Sequence, residues 1–205
     1  MMKKIIVGIT GASAVIYGVR LLKALSEARI ETHLVITQAG KKNLLTETQY
    51  TVSQIESMAS HVYDVEDMGA DIASGSFRMD GMIVAPCSIK TLSAVANSYG
   101  NNLLVRAADV MLKERKRLVL LVRETPLHEG HLELMMRVTK MGGIILPPVP
   151  AFYYLPKTIE DLIDQTVGKV LDLFQIDHHL FDRWGSSKLK KAIKEKGRKT
   201  PPAQR

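Results

Sequence analysis

The sequence predicts an α/β fold, a Rossmann-like three-layer α/β/α arrangement around a mostly parallel sheet. Short runs rich in Ile, Val and Leu alternate along the chain with longer amphipathic segments. Such alternation is typical of strands and helices that take turns in a parallel sheet. The runs are rich in Ile, Val and Leu, as expected for strands that helices cover on both faces.

Each run becomes one strand and each amphipathic segment one helix. The expected strands are Lys4 to Ile9, Thr32 to Thr37, Gly81 to Ala85, Leu118 to Val122 and Ile144 to Leu146. The expected helices, several with apolar residues at helical spacing, are Ala14 to Ala28, Val52 to Ser60, Ile89 to Asn97, Leu103 to Lys113, His131 to Met141 and Thr158 to Phe174. Ligands of open parallel sheets bind outside the carboxyl ends of the strands, so the residues after each strand are the candidate site.

The net charge is concentrated at the carboxyl end of the chain. The 205 residues include 28 Lys or Arg and 21 Asp or Glu, a net charge of +7. The stretch 186–205 holds eight basic residues and one acidic residue, so the rest is neutral overall. We therefore predict one domain over 1–185 and a basic, flexible tail over 186–205. The tail lacks interleaved aromatic residues, and no nucleic-acid partner is expected.

Hydropathy and cysteine content favour a cytoplasmic protein. No apolar run approaches the roughly 20 residues that a membrane-spanning helix needs, so no membrane span is expected. The single cysteine, Cys87, excludes an intramolecular disulfide and a cysteine-based metal site. Cys87 itself is interpreted as a packed residue, with a reactive thiol as the alternative.

Two strand ends carry small hydroxyl residues directly ahead of a helix. Gly11-Ala12-Ser13 follows the first strand, and Ser88-Ile89-Lys90-Thr91 follows the third. Free N–H groups at a helix start can hold a phosphate, and two such starts on one sheet edge suit flavin mononucleotide. The structural alternative is a pair of capped turns. Neither the dinucleotide fingerprint nor a P-loop is present, so NAD and ATP are not favoured.

Charged residues follow the later strands. Arg123-Glu124 comes directly after a buried strand, and Arg106, Lys113 and Lys169 lie near helix ends. Two interpretations stay open, a structural ion pair or a phosphate clamp in which Glu124 moves a proton. Tyr153 follows two prolines and could add a hydroxyl to that clamp. No metal site is expected, because the spacing of His128 and His131 is one residue short of the zinc motif.

Six motifs in order make the sequence resemble the UbiX family of flavin prenyltransferases, which is related to proteins long labelled phenylacrylic or hydroxyarylic acid decarboxylases. The resemblance covers about residues 3 to 184 and implies a flavoprotein of the Cys-decarboxylase-like superfamily. The motifs are Val7-Gly8-Ile9-Thr10-Gly11-Ala12-Ser13, Ser74-Gly75-Ser76-Phe77, Pro86-Cys87-Ser88-Ile89-Lys90-Thr91, Arg106-Ala107-Ala108-Asp109-Val110, Arg123-Glu124-Thr125-Pro126-Leu127 and Pro147-Pro148-Val149-Pro150-Ala151-Phe152-Tyr153.

The resemblance implies an activity and a set of site residues. The family reaction joins the dimethylallyl group of dimethylallyl monophosphate to N5 and C6 of reduced FMN, without a metal. The implied FMN-binding residues are Gly11, Ala12, Ser13, Thr37, Ser88, Ile89, Lys90, Thr91 and Arg123. The implied prenyl-phosphate residues are Lys113, Arg123, Tyr153 and Lys169. The implied catalytic residues are Ser13, Glu47, Glu124 and Arg106.

The resemblance also implies partners and marks three departures. A UbiD-type decarboxylase receives the prenylated FMN, and the enzyme forms a large homo-oligomer, a dodecamer. Where this chain has Ala14, Thr37 and Lys169, the family commonly has Gly, Ser and Arg. The alternative functions are a flavin-dependent aromatic-acid decarboxylase and a non-catalytic flavin carrier.

Overall fold

A computed structural model describes residues 2–187 of the chain. The chain divides into two units, one ending at Pro148 and the other beginning at Val149, and each is described by itself. The predicted tail over 186–205 lies outside the described residues from 188 onward. None of the described helices is long and apolar enough to cross a membrane.

The first unit is built on a six-stranded sheet in which every neighbouring pair is parallel. The strands are β1 (Lys4–Ile9), β2 (Glu31–Ile36), β3 (His61–Tyr63), β4 (Gly81–Cys87), β5 (Arg117–Val122) and β6 (Ile144–Ile145). The predicted α/β class and parallel sheet are confirmed. Strand β3 was not predicted, because it has three residues, two of them exposed, and no apolar run marks it.

Helices follow the strands as the alternation predicts. They are α1 (Ile16–Glu27), α2 (Gln38–Glu47), α3 (Val52–Glu56), α4 (Ile89–Ala96), α5 (Leu103–Lys113) and α6 (Glu129–Lys140), with a 3₁₀ turn at Asp71–Ala73. Helix α2 was not predicted, because only Gly40 and Leu44 of its ten residues are buried and the apolar pattern is weak. Helix α1 begins two residues later than expected, since Ala14 has a positive φ of 72°.

The strand order β3-β2-β1-β4-β5-β6 fixes where a ligand can bind. The chain adds strands on one side of β1 up to β3 and then returns to place β4 on the other side. The connections after β1 and β4 therefore leave the sheet in opposite directions, and a crevice opens between their carboxyl ends. Gly11 and Ser88 follow these two strands.

The core of the first unit holds that edge rigid. The side chains of β1 and β4 are almost completely buried, and on one face they pack against α4 and α5 through Leu92, Leu104 and Ala108. Close packing of this kind fixes the backbone to which the edge residues belong.

The second unit contains α7 (Ile159–Leu173), followed by an irregular segment that continues to residue 186. Thr158 and Asp161 form a capping box at the start of the helix: the hydroxyl of Thr158 accepts from the N–H of Asp161, and the carboxylate accepts from the N–H of Thr158. This accounts for the acidic residues of the first turn by helix capping.

Candidate active site

A cleft of about 780 Å³ lies at the carboxyl edge of the sheet, where the strand order changes direction. Five residues expected to bind FMN line it: Gly11, Thr37, Ser88, Lys90 and Thr91. The other lining residues are Gln38, Ala39, Val65, Glu66, Ser93, Ala94, Asn97, Tyr99, Asn101, Asn102 and Val105. The fold thus collects residues from separate stretches of the sequence around one cavity.

Gly11 lies where α2 approaches the loop after β1 most closely. A Cβ atom at this position would lie 2.4 Å from the Cβ of Ala39. Gly40 is similar, because its Cβ would lie 2.7 Å from the carbonyl oxygen of Ile9. The end of β1 and the start of α2 therefore pack backbone against backbone on one wall of the cleft, which side chains at these positions would prevent.

Glu47 and Asn43, both on α2, hold the loop that contains Ser13. The N–H groups of Ala14 and Val15 donate to Oε2 of Glu47 at 2.7 and 3.3 Å. The side-chain amide of Asn43 donates to the carbonyl oxygen of Ala12 at 3.0 Å. Glu47 thereby satisfies N–H groups at the start of α1, whose own N-cap residue offers no side-chain cap. Ser13 is half-buried within this loop.

Thr37 and Ser88 are the N-cap residues of α2 and α4. The hydroxyl of Thr37 accepts from the N–H of Gly40 at 3.1 Å, and that of Ser88 accepts from the N–H of Thr91 at 3.3 Å. The structural alternative of capped turns is therefore present as well. A cap satisfies one N–H of the first turn and leaves others for a ligand, so capping and phosphate binding are compatible.

Thr10 joins the ends of the two strands that border the cleft. It is completely buried, its hydroxyl donates to the carbonyl oxygen of Pro86 at 2.7 Å, and it accepts from the N–H of Ser88 at 2.8 Å. Sequence reasoning gave this residue no role of its own. The sequence feature that could have revealed it is a hydroxyl residue at the end of an apolar strand, because a buried polar group there needs a hydrogen-bond partner.

Arg123 and Glu124 follow β5 beside the same edge. The N–H of Arg123 donates to the carbonyl oxygen of Cys87 at 3.2 Å, which places the end of β5 against the end of β4. The carboxylate of Glu124 is exposed and accepts from the N–H of Thr125 at 3.1 Å. Within residues 2–187 no ion pair joins Arg123 to Glu124, which speaks against the purely structural interpretation.

Arg106 and Lys113 lie on α5, and neither lines the cleft. The guanidinium of Arg106 donates to the carbonyl oxygen of Ala73 and to Asp109, both at 3.1 Å. Lys113 pairs with Glu114 beside Gly75, where a Cβ would lie 2.6 Å from the lysine Nζ. A single copy of the first unit therefore does not bring these two cations to the FMN-binding residues.

Tyr153 and Lys169 belong to the second unit. The ring of Tyr153 packs edge-on against Trp184, with 5.6 Å between ring centroids. The Nζ atom of Lys169 lies 3.8 Å from a carboxylate oxygen of Asp172, one turn further along α7. Lys169 is exposed, so its ammonium group is available to a ligand.

Cys87 is a packed residue. It is fully buried, and burial raises the pKa of its thiol far above the ordinary range, so the thiolate needed by a nucleophile does not form. Of the described residues, Glu31, His33 and His61 lie close enough together to be considered metal ligands. They are at the opposite edge of the sheet, and Lys4 already binds the carboxylate of Glu31 at 3.1 Å. We assign no metal to them.

Known proteins are similar to this chain over most of its length. Residues 1–178 match the family model described as Flavoprotein. Flavin prenyltransferase UbiX of Thauera aromatica is 54% identical over 193 residues, which are 94% of this chain and 100% of that protein. Flavin prenyltransferase UbiX of Escherichia coli strain K12 is 53% identical over 186 residues, or 89% of this chain and 98% of that protein.

Solved structures give the same result. The structure of AnUbiX in complex with FMN and dimethylallyl pyrophosphate is 49% identical, has a TM-score of 0.89 and covers 91% of this chain and 99% of its own. A dodecameric FMN-dependent UbiX-like decarboxylase from Escherichia coli O157:H7 is 45% identical, with a TM-score of 0.87, and covers 89% of this chain and 100% of its own. The resemblance predicted from the motifs is confirmed: the chain belongs to the flavoprotein family and, within it, to the UbiX flavin prenyltransferases.

Proposed function

We propose that this enzyme transfers the dimethylallyl group of dimethylallyl monophosphate to N5 and C6 of reduced FMN and releases phosphate. The observation that carries the proposal is the cleft at the strand-order switch, lined by the starts of two capped helices. The likeness to AnUbiX, whose structure contains FMN and a prenyl diphosphate, supports the same ligands. The product, prenylated FMN, is the cofactor of a UbiD-type decarboxylase.

The residues of the cleft fit FMN. Its volume of about 780 Å³ is that of a cofactor site. The first turns of α2 and α4 and the ammonium group of Lys90 suit the phosphate, and the amide of Asn101 suits a polar ring edge. Gly11 keeps the loop backbone open to close approach. Reduced FMN supplies the nucleophilic nitrogen and carbon atoms of the reaction.

Fixed cations replace a metal in this proposal. As the bond between carbon and phosphate oxygen breaks, negative charge grows on the phosphate, and preorganised positive groups stabilise it. We assign this role to the prenyl-phosphate residues Lys113, Arg123 and Lys169, with Arg106 nearby and the neutral hydroxyl of Tyr153 as a further hydrogen-bond donor. Glu124, exposed on its loop, donates a proton to the departing phosphate.

The loop after β1 orients the flavin side of the reaction. We place Ser13 beside the reacting flavin nitrogen. We assign Glu47 two roles, acid/base catalysis and fixing the loop that carries Ser13. The second role follows from the two hydrogen bonds that Glu47 accepts from the N–H groups of Ala14 and Val15. Removing the Glu47 carboxylate should then affect both proton transfer and loop geometry.

The positions of Arg106 and Lys113 support a homo-oligomer with shared sites. A single first unit does not bring these residues to its own cleft. We therefore assign them to the cleft of a neighbouring copy, and we propose a dodecamer, the assembly named for the relative from Escherichia coli O157:H7. We place the assembly in the cytoplasm, where a protein with a single buried cysteine needs no oxidising environment.

Anaerobic incubation of the protein with FMN, dithionite and dimethylallyl monophosphate tests the activity. Mass spectrometry of the extracted flavin should show the gain of one prenyl unit. Glu124→Gln should abolish the gain, whereas Glu133→Gln, at an exposed acidic position on α6, should leave it unchanged. Unmodified flavin together with carbon dioxide release from an aromatic acid would support the decarboxylase instead, and unmodified flavin without it would support the carrier.

A further inference from the structure

An irregular segment, residues 174–186, returns along α7 in the second unit and is held there by Asp172. The two guanidinium nitrogens of Arg183 donate to the two carboxylate oxygens of Asp172 at 3.0 and 2.6 Å. Nε2 of His178 lies 3.1 Å from the same carboxylate. A bidentate Arg–carboxylate pair fixes direction as well as distance, so the path of the segment is defined at both residues.

The charge of Asp172 is retained at neutral pH. Although partial burial opposes ionisation, hydrogen bonds from Arg183 and His178 hold the pKa of the Asp172 carboxyl below its ordinary value. The carboxylate is about one-fifth exposed and the His178 side chain is 4% exposed. The Arg183 side chain is more than half exposed, so its pair with Asp172 is set apart from an ordinary surface ion pair by the two-point geometry and by the buried His178 that shares the carboxylate. We call Lys169, Asp172, His178 and Arg183 the Asp172 cluster.

The helix surface is shaped to receive the segment. A Cβ at Gly168, one turn before Asp172, would lie 2.6 Å from a ring carbon of Phe181 and 2.7 Å from a ring carbon of His178. Both rings therefore pack directly on the helix backbone. Gly168 and Asp172 together dock residues 178–183 through packing and charge.

The docked segment continues into the aromatic residues of the proposed prenyl site. Trp184 follows Arg183 directly and packs edge-on against Tyr153 at 5.6 Å between centroids. Tyr154 contacts Phe181 at 6.2 Å between centroids, and its hydroxyl donates to the carbonyl oxygen of Asp161 at 2.9 Å. The positions of Tyr153 and Trp184 thus depend on how the segment is anchored at Arg183.

The Asp172 cluster also determines how tightly the ammonium group of Lys169 is bound. Its ammonium group lies 3.8 Å from Oδ2 of Asp172, a longer distance than the contacts made by Arg183 and His178. Because those two donors share the carboxylate charge, Lys169 is kept near Asp172 without a short ion pair. A phosphate dianion can then bind the ammonium group of Lys169 without breaking a short ion pair with Asp172.

We propose that Asp172 is a positioning residue for prenyl-phosphate binding, which anchors Arg183 and thereby sets the places of Trp184, Tyr153 and Lys169. This inference rests on the proposed function. It names the prenyl phosphate, not FMN, as the ligand whose binding depends on the cluster. None of the residues of the cluster other than Lys169 needs to touch the substrate.

The test is the isosteric variant Asp172→Asn, with Glu160→Gln as the control, since Glu160 is an exposed acidic residue of the same helix. Steady-state prenylation should show kcat/KM for dimethylallyl monophosphate lowered about tenfold, with KM raised and kcat lowered, because Lys169 and Tyr153 hold the phosphate both before and during bond breaking. FMN affinity should stay unchanged. Asp172→Glu should restore most of the parent kcat/KM. Arg183→Lys keeps the positive charge but loses the two-point contact of the guanidinium, so it should give an intermediate kcat/KM.

A second readout does not depend on turnover. Trp184 is the only tryptophan, so the fluorescence anisotropy of the protein reports on it alone. Anisotropy should fall in Asp172→Asn and in Arg183→Ala, and the double variant should fall no further than either single one, because the residues act as a pair. The same set of variants should keep their thermal midpoints within a few degrees of the parent.

The outcomes separate the two proposals. If the parent protein makes no prenylated flavin but anisotropy falls in Asp172→Asn, the proposed function fails while the anchoring of Trp184 stands. If prenylation proceeds and both kcat/KM and anisotropy are unchanged in Asp172→Asn, the positioning role is wrong. An equal loss of FMN affinity and prenyl-phosphate affinity would also overturn it, since a general loss of folding would have that effect.

Discussion

The two edges of the parallel sheet both carry polar groups at the ends of apolar strands, but they use them differently. At the amino edge, Glu31 accepts from Lys4 and His33, each at 3.1 Å, and His33 also contacts the hydroxyl of Tyr63 at 2.9 Å. These groups satisfy one another. At the carboxyl edge, hydroxyls cap the helices and the remaining N–H groups face a cleft.

This difference indicates which polar residues of such a fold form a ligand-binding site. Polar residues that complete one another stabilise the sheet and have no capacity left for a ligand. Thr10 and Glu47 instead accept from backbone N–H groups and hold in place the loops after β4 and β1, which contribute Ser88 and Gly11 to the cleft. Burial and hydrogen-bond partners therefore distinguish a structural cluster from a binding site better than residue type does.

Gly11→Ala should have the largest effect, and it should affect the carboxyl edge alone. The added methyl would meet the Cβ of Ala39 at 2.4 Å, so α2 must shift away from the loop after β1. We expect FMN affinity to fall at least about tenfold and unfolding free energy to fall by about 2 kcal/mol. Flavin fluorescence titration and urea unfolding measure the two.

Ala39→Gly supplies the matched suppressor for that change. It removes the methyl that a Cβ at Gly11 would strike, so Gly11→Ala combined with Ala39→Gly should recover FMN affinity. The glycine alone should lower stability by about 1 kcal/mol because it lies in a helix. Failure of the double variant to recover binding would show that contact with Ala39 is not the reason for glycine at this position.

Thr10→Val compared with Thr32→Val tests the contrast between the edges directly. Both threonines are buried, and each accepts a backbone hydrogen bond across the structure, Thr10 from Ser88 and Thr32 from Ser60. Each change keeps the shape and removes the acceptor of a partly buried N–H group, and Thr10→Val also removes the donor to the carbonyl oxygen of Pro86, so unfolding free energy should fall by about 1–3 kcal/mol. Only Thr10→Val should also weaken FMN binding. Equal FMN affinity in both variants would contradict the distinction.

The sequence could predict the fold because the strand signal is strong where burial is complete. Strands β1 and β4 are apolar along their whole length, and the carboxyl-edge rule then located Gly11 and Ser88. Strand β3 and helix α2 were missed because short or half-exposed elements lack a periodic apolar pattern. With α2 the sequence reasoning also missed Asn43.

The site could be predicted only in part, for a similar reason. The hydroxyl and glycine residues stand next to strands, so their place follows from the order of elements. The partners of Arg106 and Lys113 depend on packing against the 73–77 loop, which no local pattern encodes. The anchoring of Trp184 through Asp172 joins residues that are 11 apart across an irregular segment, and it too needed the structure.

The amino edge should make stability depend on pH. Burial lowers the pKa of His33, so the folded state binds the proton less well than the unfolded state does. The free energy of unfolding should therefore be highest above the ordinary histidine pKa of about 6.5 and should fall as the pH drops below that value. Although burial opposes ionisation of Glu31, Lys4 and His33 lower the pKa of its carboxyl, which adds a further loss below about pH 4.5.

Urea unfolding between pH 5 and pH 8 measures this dependence. The slope should flatten in His33→Gln and persist in His179→Gln, where the histidine is exposed. FMN affinity at pH 7 should be the same in both variants, since neither residue is among those that line the cleft. A slope that survives His33→Gln would assign the pH dependence to other groups.

The smallest expected effect concerns Ala14, where the loop that Glu47 holds has a φ of 72°. For L-residues with a side chain the left-handed region costs about 1–2 kcal/mol, and for glycine it does not. Glycine also stabilises the unfolded chain by about 0.4–1 kcal/mol through its greater conformational entropy, and this offsets part of the gain. Ala14→Gly should therefore raise the free energy of unfolding by only about 0.5–1 kcal/mol. Ala24→Gly, in the regular part of α1, should lower it instead. If both glycines destabilise to the same extent, the two hydrogen bonds that the N–H groups of Ala14 and Val15 donate to Glu47 already compensate for the strain, and the alanine at this position has no cost for the active-site loop.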